Sequence, residues 1–161
     1  MKAGAYMTDA VIRRIVRGED PVYSTVYFYG EPEHVAAALE KLEEGYRAAN
    51  PEKRLVLVDG EEYVEGLYRA VGTDRLARYM YPLEREYDLF VLRGIEEIGR
   101  GEFPMETIYG ILDHCLEYHV QLVVTGSVPV KDLICLEDRL RAQLSGGLCC
   151  RVDMTVGKEI K

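Results

Sequence analysis

The chain has 161 residues, 48% of them apolar and 30% charged, and a formal net charge of −8 at pH 7. A domain of that length can bury roughly two thirds of the surface its unfolded chain exposes, so a packed core needs neither a disulfide nor a metal. The acidic balance speaks against general binding to the phosphate backbone of nucleic acid, which draws its affinity from Lys and Arg that release counterions, and leaves room only for a local basic patch.

No run approaches the length of a membrane span, and Met1-Lys-Ala-Gly-Ala5 lacks the apolar centre of a signal peptide. A cytoplasmic location is therefore expected. Cys115, Cys135, Cys149 and Cys150 lack the paired CxxC spacing of a zinc site and read as reduced thiols.

Taken in order, Thr8 can cap a short helix through Arg17, with Val11, Ile12, Ile15 and Val16 on its apolar side. Gly18-Glu-Asp-Pro21 ends it. Pro21 to Tyr29 is too apolar for a half-exposed strand and predicts one covered on both faces. A helix follows from Pro32, a favoured first helical residue, to Ala49, with Val35, Leu39, Leu42 and Tyr46 spaced three and four apart. Leu55-Val-Leu-Val58 is a second buried strand, followed by a helix from about Glu61 to Val71 and a short one from Asp74 to Met80. Leu89-Phe-Val-Leu92 and Leu122-Val-Val-Thr125 are the third and fourth strands, separated by a helix from about Pro104 to Tyr118. Short helical segments at Pro129 to Leu133 and Leu136 to Leu144 precede a closing strand, Leu148 to Val152. Strands alternating with helices at these lengths predict an α/β three-layer sandwich, a five-stranded parallel sheet with helices on both faces.

The order strand, turn, helix at Val26-Tyr-Phe-Tyr-Gly-Glu-Pro-Glu33 is where nucleotide-binding α/β folds grip phosphate. That grip needs several glycines, a Lys, and a Ser or Thr for Mg²⁺. The turn supplies Gly30 and then Glu31, Pro32 and Glu33.

The segment Leu136-Glu-Asp-Arg-Leu-Arg-Ala-Gln-Leu-Ser-Gly-Gly-Leu148 resembles the part of the bacterial replication initiator DnaA and its relatives that carries the arginine finger of AAA+ ATPases. Tyr27-Phe-Tyr-Gly30 is similar to the Walker A strand and first glycine, and Asn50-Pro51 to the approach to the second strand. Tyr87-Asp-Leu-Phe-Val-Leu92 is similar to the Walker B strand, and Val123-Val-Thr-Gly-Ser-Val-Pro129 to the sensor 1 strand and its exit. The likeness runs from about Tyr23 to Val152. It implies a P-loop NTPase fold of the AAA+ type, with residues 1–161 as a single core domain lacking the helical lid and DNA-binding domain of full-length initiators.

The departures fall on the positions that would do chemistry. The loop after Gly30 is shortened, without the later glycines, Lys and Thr; Arg93 and Gly94 stand where the family has two Asp residues for Mg²⁺ and water. Gln143 takes the finger position, four residues after a retained Arg139. Glu31 and Glu33 near a helix N-terminus take the electrostatic role of phosphate, and a triphosphate would meet like charges at about 4 kcal/mol per pair at 4 Å with an effective dielectric of about 20. The resemblance thus implies no cofactor, no phosphoryl transfer and a catalytically silent core. Its expected role is to bind another AAA+ protein, or itself, through Asp138 and Arg139, as a regulatory subunit of an initiator or helicase-loader assembly. Two alternatives stand beside it: a divergent ATPase using Arg93 with Glu96-Glu97, and a single-stranded DNA module using Arg69, Arg75 and Arg78.

Other candidates have plainer readings. Cys115 and His119 share the spacing of a two-ligand metal site, but two ligands are too few and no metal is expected. Glu96-Glu97 reads as a solvated loop and Cys149-Cys150 as small buried side chains on either side of a strand. Ser127 with His34 or His119 lacks a nucleophile elbow, so proximity by chance is the default. Tyr63, Tyr68, Tyr79 and Tyr81 suit either contact sites or polar-tipped core residues.

Overall fold

Alternation along one strand sets the layers. In a computed structural model of the protein, which describes residues 2–18, 25–76 and 88–153, β1 (Thr25–Gly30) lies inside the sheet with Val26 and Phe28 buried on one face and Tyr27 on the other. The remaining strands are β2 (Leu55–Asp59), β3 (Leu89–Arg93), β4 (Gln121–Gly126) and β5 (Leu148–Val152), arranged β2-β3-β4-β1-β5 with every neighbouring pair parallel.

On the Phe28 side lie α1 (Lys2–Val16) and α2 (Pro32–Ala49), contributing Ile12, Ile15, Val35, Leu39, Leu42 and Tyr46 to a core shared with Val91 and Val123. On the Tyr27 side lie α3 (Gly60–Ala70), α4 (Glu102–Glu117) and α5 (Asp138–Ser145), whose Leu67, Ile108, Leu112, Leu140 and Leu144 pack on Phe90, Leu92, Leu122 and Val124. Two 3₁₀ turns, Ile95–Arg100 and Val130–Asp132, follow β3 and β4. The three-layer α/β sandwich expected from the alternation of elements is present.

Helix ends follow local chemistry. Pro32 opens α2, and Asp59 caps α3 by accepting the Glu62 N–H at 3.1 Å. At the other end of α2, the Asn50 side-chain amide donates to the carbonyls of Val16 (2.7 Å) and Tyr46 (3.2 Å), joining the C-termini of α1 and α2. Further up the same helices, Lys41 donates to Asp9 at 2.8 Å, and the Asp9 side chain is only 3% exposed.

Several expectations change. The first helix begins at Lys2, and Thr8 is buried within it instead of capping it; the start lies two turns earlier because Thr8 shares the inward face with Ile12 and Ile15. β1 begins at Thr25, and residues 19–24 lie outside the described residues, as does most of the short helix expected over Asp74 to Met80. β2 and β5 are the sheet's edges. The residues of β2 are each half-buried, whereas in β5 Cys150 and Val152 are buried while Cys149 and Arg151 are exposed. Cys149 is therefore not the buried small side chain expected: the face it occupies lacks full helix cover, although its Sγ lies 3.5 Å from the Leu144 carbonyl.

Two outcomes follow from the α1/α2 side. Replacing Lys41 with Met strands the Asp9 carboxylate, and a loss of about 1–3 kcal/mol is expected from urea midpoints, less than for a fully buried pair because Lys41 is partly in water. Burial, helped by the nearby Asp88 carboxylate, pushes the Tyr46 hydroxyl from 10.0 up to about 12. Above pH 10 the unfolded chain therefore gives up a proton that the folded chain keeps, and stability falls as pH rises towards about 12. Tyr46→Phe should flatten that part of the stability profile.

Candidate functional site

A parallel sheet brings the C-terminal ends of its strands to one edge, and here the ends of β1, β3 and β4 meet around Gly30, Arg93 and Ser127. Gly30 has φ +140° and pairs with Val152 of β5; a Cβ there would lie 2.7 Å from the Val152 carbonyl oxygen. Gly30, expected to match the first glycine of a phosphate loop, thus has a structural duty here, the closure of β5 against β1. Glu31 then precedes α2 without a side-chain cap bond, Pro32 removes one N–H from the helix start, and Glu31, Pro32 and Glu33 are all exposed.

At the end of β3, Arg93 reaches sideways to the end of β2, its Nε donating to Asp59 Oδ1 at 3.1 Å. Gly94 turns with φ +76° and its N–H donates to Thr125 Oγ1 at 3.1 Å. The chain then winds into the 3₁₀ turn carrying Glu96 and Glu97. Glu96 is not the solvated loop residue expected: its Oε2 accepts from the Ser127 N–H at 2.6 Å and Ser127 Oγ at 2.5 Å, tying the exit of β3 to that of β4. Glu97 is half-buried in the same turn. Below them, the Tyr27 hydroxyl donates to the Val128 carbonyl at 2.7 Å and fits only because residue 126 is glycine. Burial first, and the Glu96 carboxylate second, push the Tyr27 hydroxyl far above its ordinary value.

Two open clefts flank the turn after β1. One of about 210 Å³ lies among Gly30, Pro32, Val35, Arg93, Glu96 and Thr125. The other, of about 390 Å³, lies among Tyr29, Glu31, His34, Ser127, Arg151 and Asp153. Each contains one guanidinium, and each guanidinium already has a carboxylate: Arg93 with Asp59, and Arg151 with Asp153 at 2.8 Å. Ser127 and His34 share the larger cleft, yet the Ser127 hydroxyl donates to Glu96.

The second candidate surface lies at α5. The Arg139 guanidinium sits 4.2 Å from the centre of the Tyr109 ring on α4 and 3.8 Å from Asp113. The Tyr109 hydroxyl donates to Glu137 at 2.8 Å, and burial together with that bond raises its pKa. Asp138 is almost fully exposed and pairs with Arg141. Gln143, the residue expected at the finger position, is half-buried with its Nε2 atom enclosed and lacking a hydrogen-bond partner.

Arg69 is exposed on α3 with Glu65 at 3.7 Å, and Arg75 is exposed just beyond; Arg78, Tyr79 and Tyr81 lie outside the described residues. Tyr63 is core, whereas Tyr68 is half exposed. Cys115 is buried and pushed up to about 12 by desolvation, while His119 lies past the end of α4 at φ +57°, so the two do not share a helix face. Among the described residues no group of three or more His, Cys, Asp or Glu could hold a metal, and no helix is long and apolar enough to cross a membrane.

Residues 3–151 match the bacterial DnaA ATPase domain. The chain belongs to that family. The chromosomal replication initiator DnaA of Deinococcus deserti is 29% identical over 98 residues, 61% of this chain and 21% of the initiator. This chain thus matches about a fifth of the length of that curated DnaA relative. A replication initiator DnaA bound to AMPPCP and single-stranded DNA has the same fold, with a TM-score of 0.79 at 13% identity over 92% of this chain and 46% of that one. The Aeropyrum pernix ORC1 protein in complex with DNA is similar at a TM-score of 0.61 and 17% identity, over 94% of this chain and 44% of that one. Both of those proteins are found with DNA, which overturns the expectation that nucleic acid is an unlikely partner for a chain of this fold. Net charge sums over a whole surface, whereas a strand of DNA touches only a local patch, so a total of −8 does not decide the matter.

Gly30 provides a direct test of its structural duty. Gly30→Ala should cost about 1–3 kcal/mol in chemical denaturation through backbone strain and the collision with β5, with no nucleotide present. A glycine needed only for phosphate would leave stability unchanged.

Proposed function

We propose that this DnaA-family chain is a catalytically silent core that works by docking on an active AAA+ ATPase, as a regulatory subunit of an initiator or helicase-loader assembly. The observation that carries this reading is the pairing of both guanidinium groups at the clefts with the chain's own carboxylates, while Glu31 and Glu96 add negative charge to the cleft walls. A triphosphate entering there would find neither a free cation to neutralise it nor the Lys that grips phosphates in active relatives. The arginine-finger segment, in contrast, keeps Asp138 and Arg139 exposed at the start of α5. With Gln143 half-buried at the finger position, docking through this segment would leave the partner's hydrolysis unstimulated.

A second reading has its own support. An initiator of this fold is found with single-stranded DNA, and the end of α3 sets a half-exposed Tyr68 beside Arg69, with Arg75 close behind. An aromatic face next to guanidinium groups suits stacking on unpaired bases. On that reading, binding weakens steeply with salt and is lost in an Arg69→Ala, Arg75→Ala double variant.

For the docking role, titration of the chain with Mg-ATP at millimolar concentration should give no saturable heat. Capture of the full-length DnaA of the same organism by the immobilised chain should be measurable. Arg139→Ala should weaken that capture about fivefold or more, the effect of truncating an interface anchor. Saturable ATP binding would revive the divergent-ATPase alternative with Arg93 and Glu96-Glu97, and capture indifferent to Arg139→Ala would remove the interface.

A further inference from the structure

The surroundings of Arg139 assign separate tasks to its two neighbours on α4. The guanidinium carbon lies over the Tyr109 ring, 4.2 Å from its centre, and the ring is itself held, its hydroxyl donating to Glu137 at 2.8 Å. Tyr109 is buried, so the platform is rigid. Asp113 differs on every count. It stands 3.8 Å from Arg139, and the two side chains are 62% and 63% exposed, which makes a loose, water-screened pair. A cation held over a ring makes no hydrogen bond to it, so the guanidinium N–H groups can still take a planar carboxylate.

Resting on the docking role proposed above, we infer that Tyr109 is the positioning residue that holds Arg139 outward for a carboxylate of the partner, and that Asp113 is a placeholder which that carboxylate displaces. The bound partner thus offers an Asp or Glu to Arg139. A rigid platform lowers the entropy lost on docking, because the guanidinium is already aimed. The placeholder acts in the other direction: every docking event must first break its contact.

The two neighbours therefore predict opposite signs, which general damage to the fold cannot produce. Binding of the full-length DnaA of the same organism to the intact chain is measured by interferometry. Asp113→Asn should tighten it about two- to fivefold by removing the competitor. Tyr109→Leu should weaken it by a similar factor through loss of the ring, while Tyr109→Phe, which keeps the ring and drops the Glu137 bond, should stay close to the parent. Because Tyr109 is buried, melting curves accompany each variant, and the Arg139 Nε–Hε resonance is followed by NMR in the chain alone. It should be ring-shifted and ordered in the parent and in Tyr109→Phe, and mobile in Tyr109→Leu. Weaker or unchanged binding in Asp113→Asn overturns the placeholder role. An Arg139 resonance or binding indifferent to Tyr109→Leu overturns the platform. No binding by the parent chain refutes the docking role itself, and the displacement by a partner carboxylate falls with it.

Discussion

A parallel sheet whose three inner strands, β1, β3 and β4, are buried on both faces is the constraint from which the rest follows. Tyr27 is fully buried on one side of β1 and Phe28 on the other, so the strand cannot shift register by one residue without exchanging the two cores. All five strands run in one direction, which gathers their exits on one edge and obliges Gly30, Arg93 and Ser127 to meet there. The cleft is thus a consequence of topology before it is a feature of chemistry. Close backbone approach at this edge and near it accounts for three of the glycines: Gly30 under Val152, Gly60 under Gly94, and Gly126 against the Tyr27 hydroxyl.

What occupies that edge is decided by charge. Arg93 and Arg151 carry positive charge into the clefts, yet each is within 3.1 Å of a carboxylate on its own chain. Glu96 spends one oxygen on two Ser127 donors. These contacts bind the exits of neighbouring strands to each other, and they do so with the kinds of groups that would otherwise face a phosphate or a metal. On the reading of a silent core, the edge is closed to phosphate by charge while it stays open sterically, with clefts of about 210 and 390 Å³ beside the turn.

Much of the fold was legible in the sequence because its signals are local. The apolar runs of β1, β3 and β4 and the stripe Val35, Leu39, Leu42, Tyr46 repeat at the periods that strands and helices impose. The site was less legible because its contacts join residues distant in the chain. Arg93 and Asp59 are 34 residues apart, and Glu96 and Ser127 are 31 apart. No periodicity reports such pairs, and Glu96 therefore read as a solvated loop residue. Strand order escaped for the same reason: nothing in Leu148 to Val152 says that it is an edge, and so Cys149 was expected to be covered. Thr8 misled in the opposite way, since a residue type favoured at helix starts is also small enough to bury inside one.

The contrast between the two surfaces bears on how the chain would act. The α5 surface is held together by contacts within the chain, the Tyr109 ring beneath Arg139 and the Glu137 carboxylate behind that ring. Neither contact involves a residue that lines the clefts. In an AAA+ subunit that hydrolyses ATP, the state of the nucleotide can reshape what a neighbour meets; a silent core of the kind proposed has no such input. On the docking reading, Arg139 is therefore offered constantly, and any switching of the assembly must come from the partner's state or from competition for the guanidinium. Among the described residues Asp113 is the carboxylate paired with Arg139, and its loose, exposed pairing fits a weak brake better than a lock.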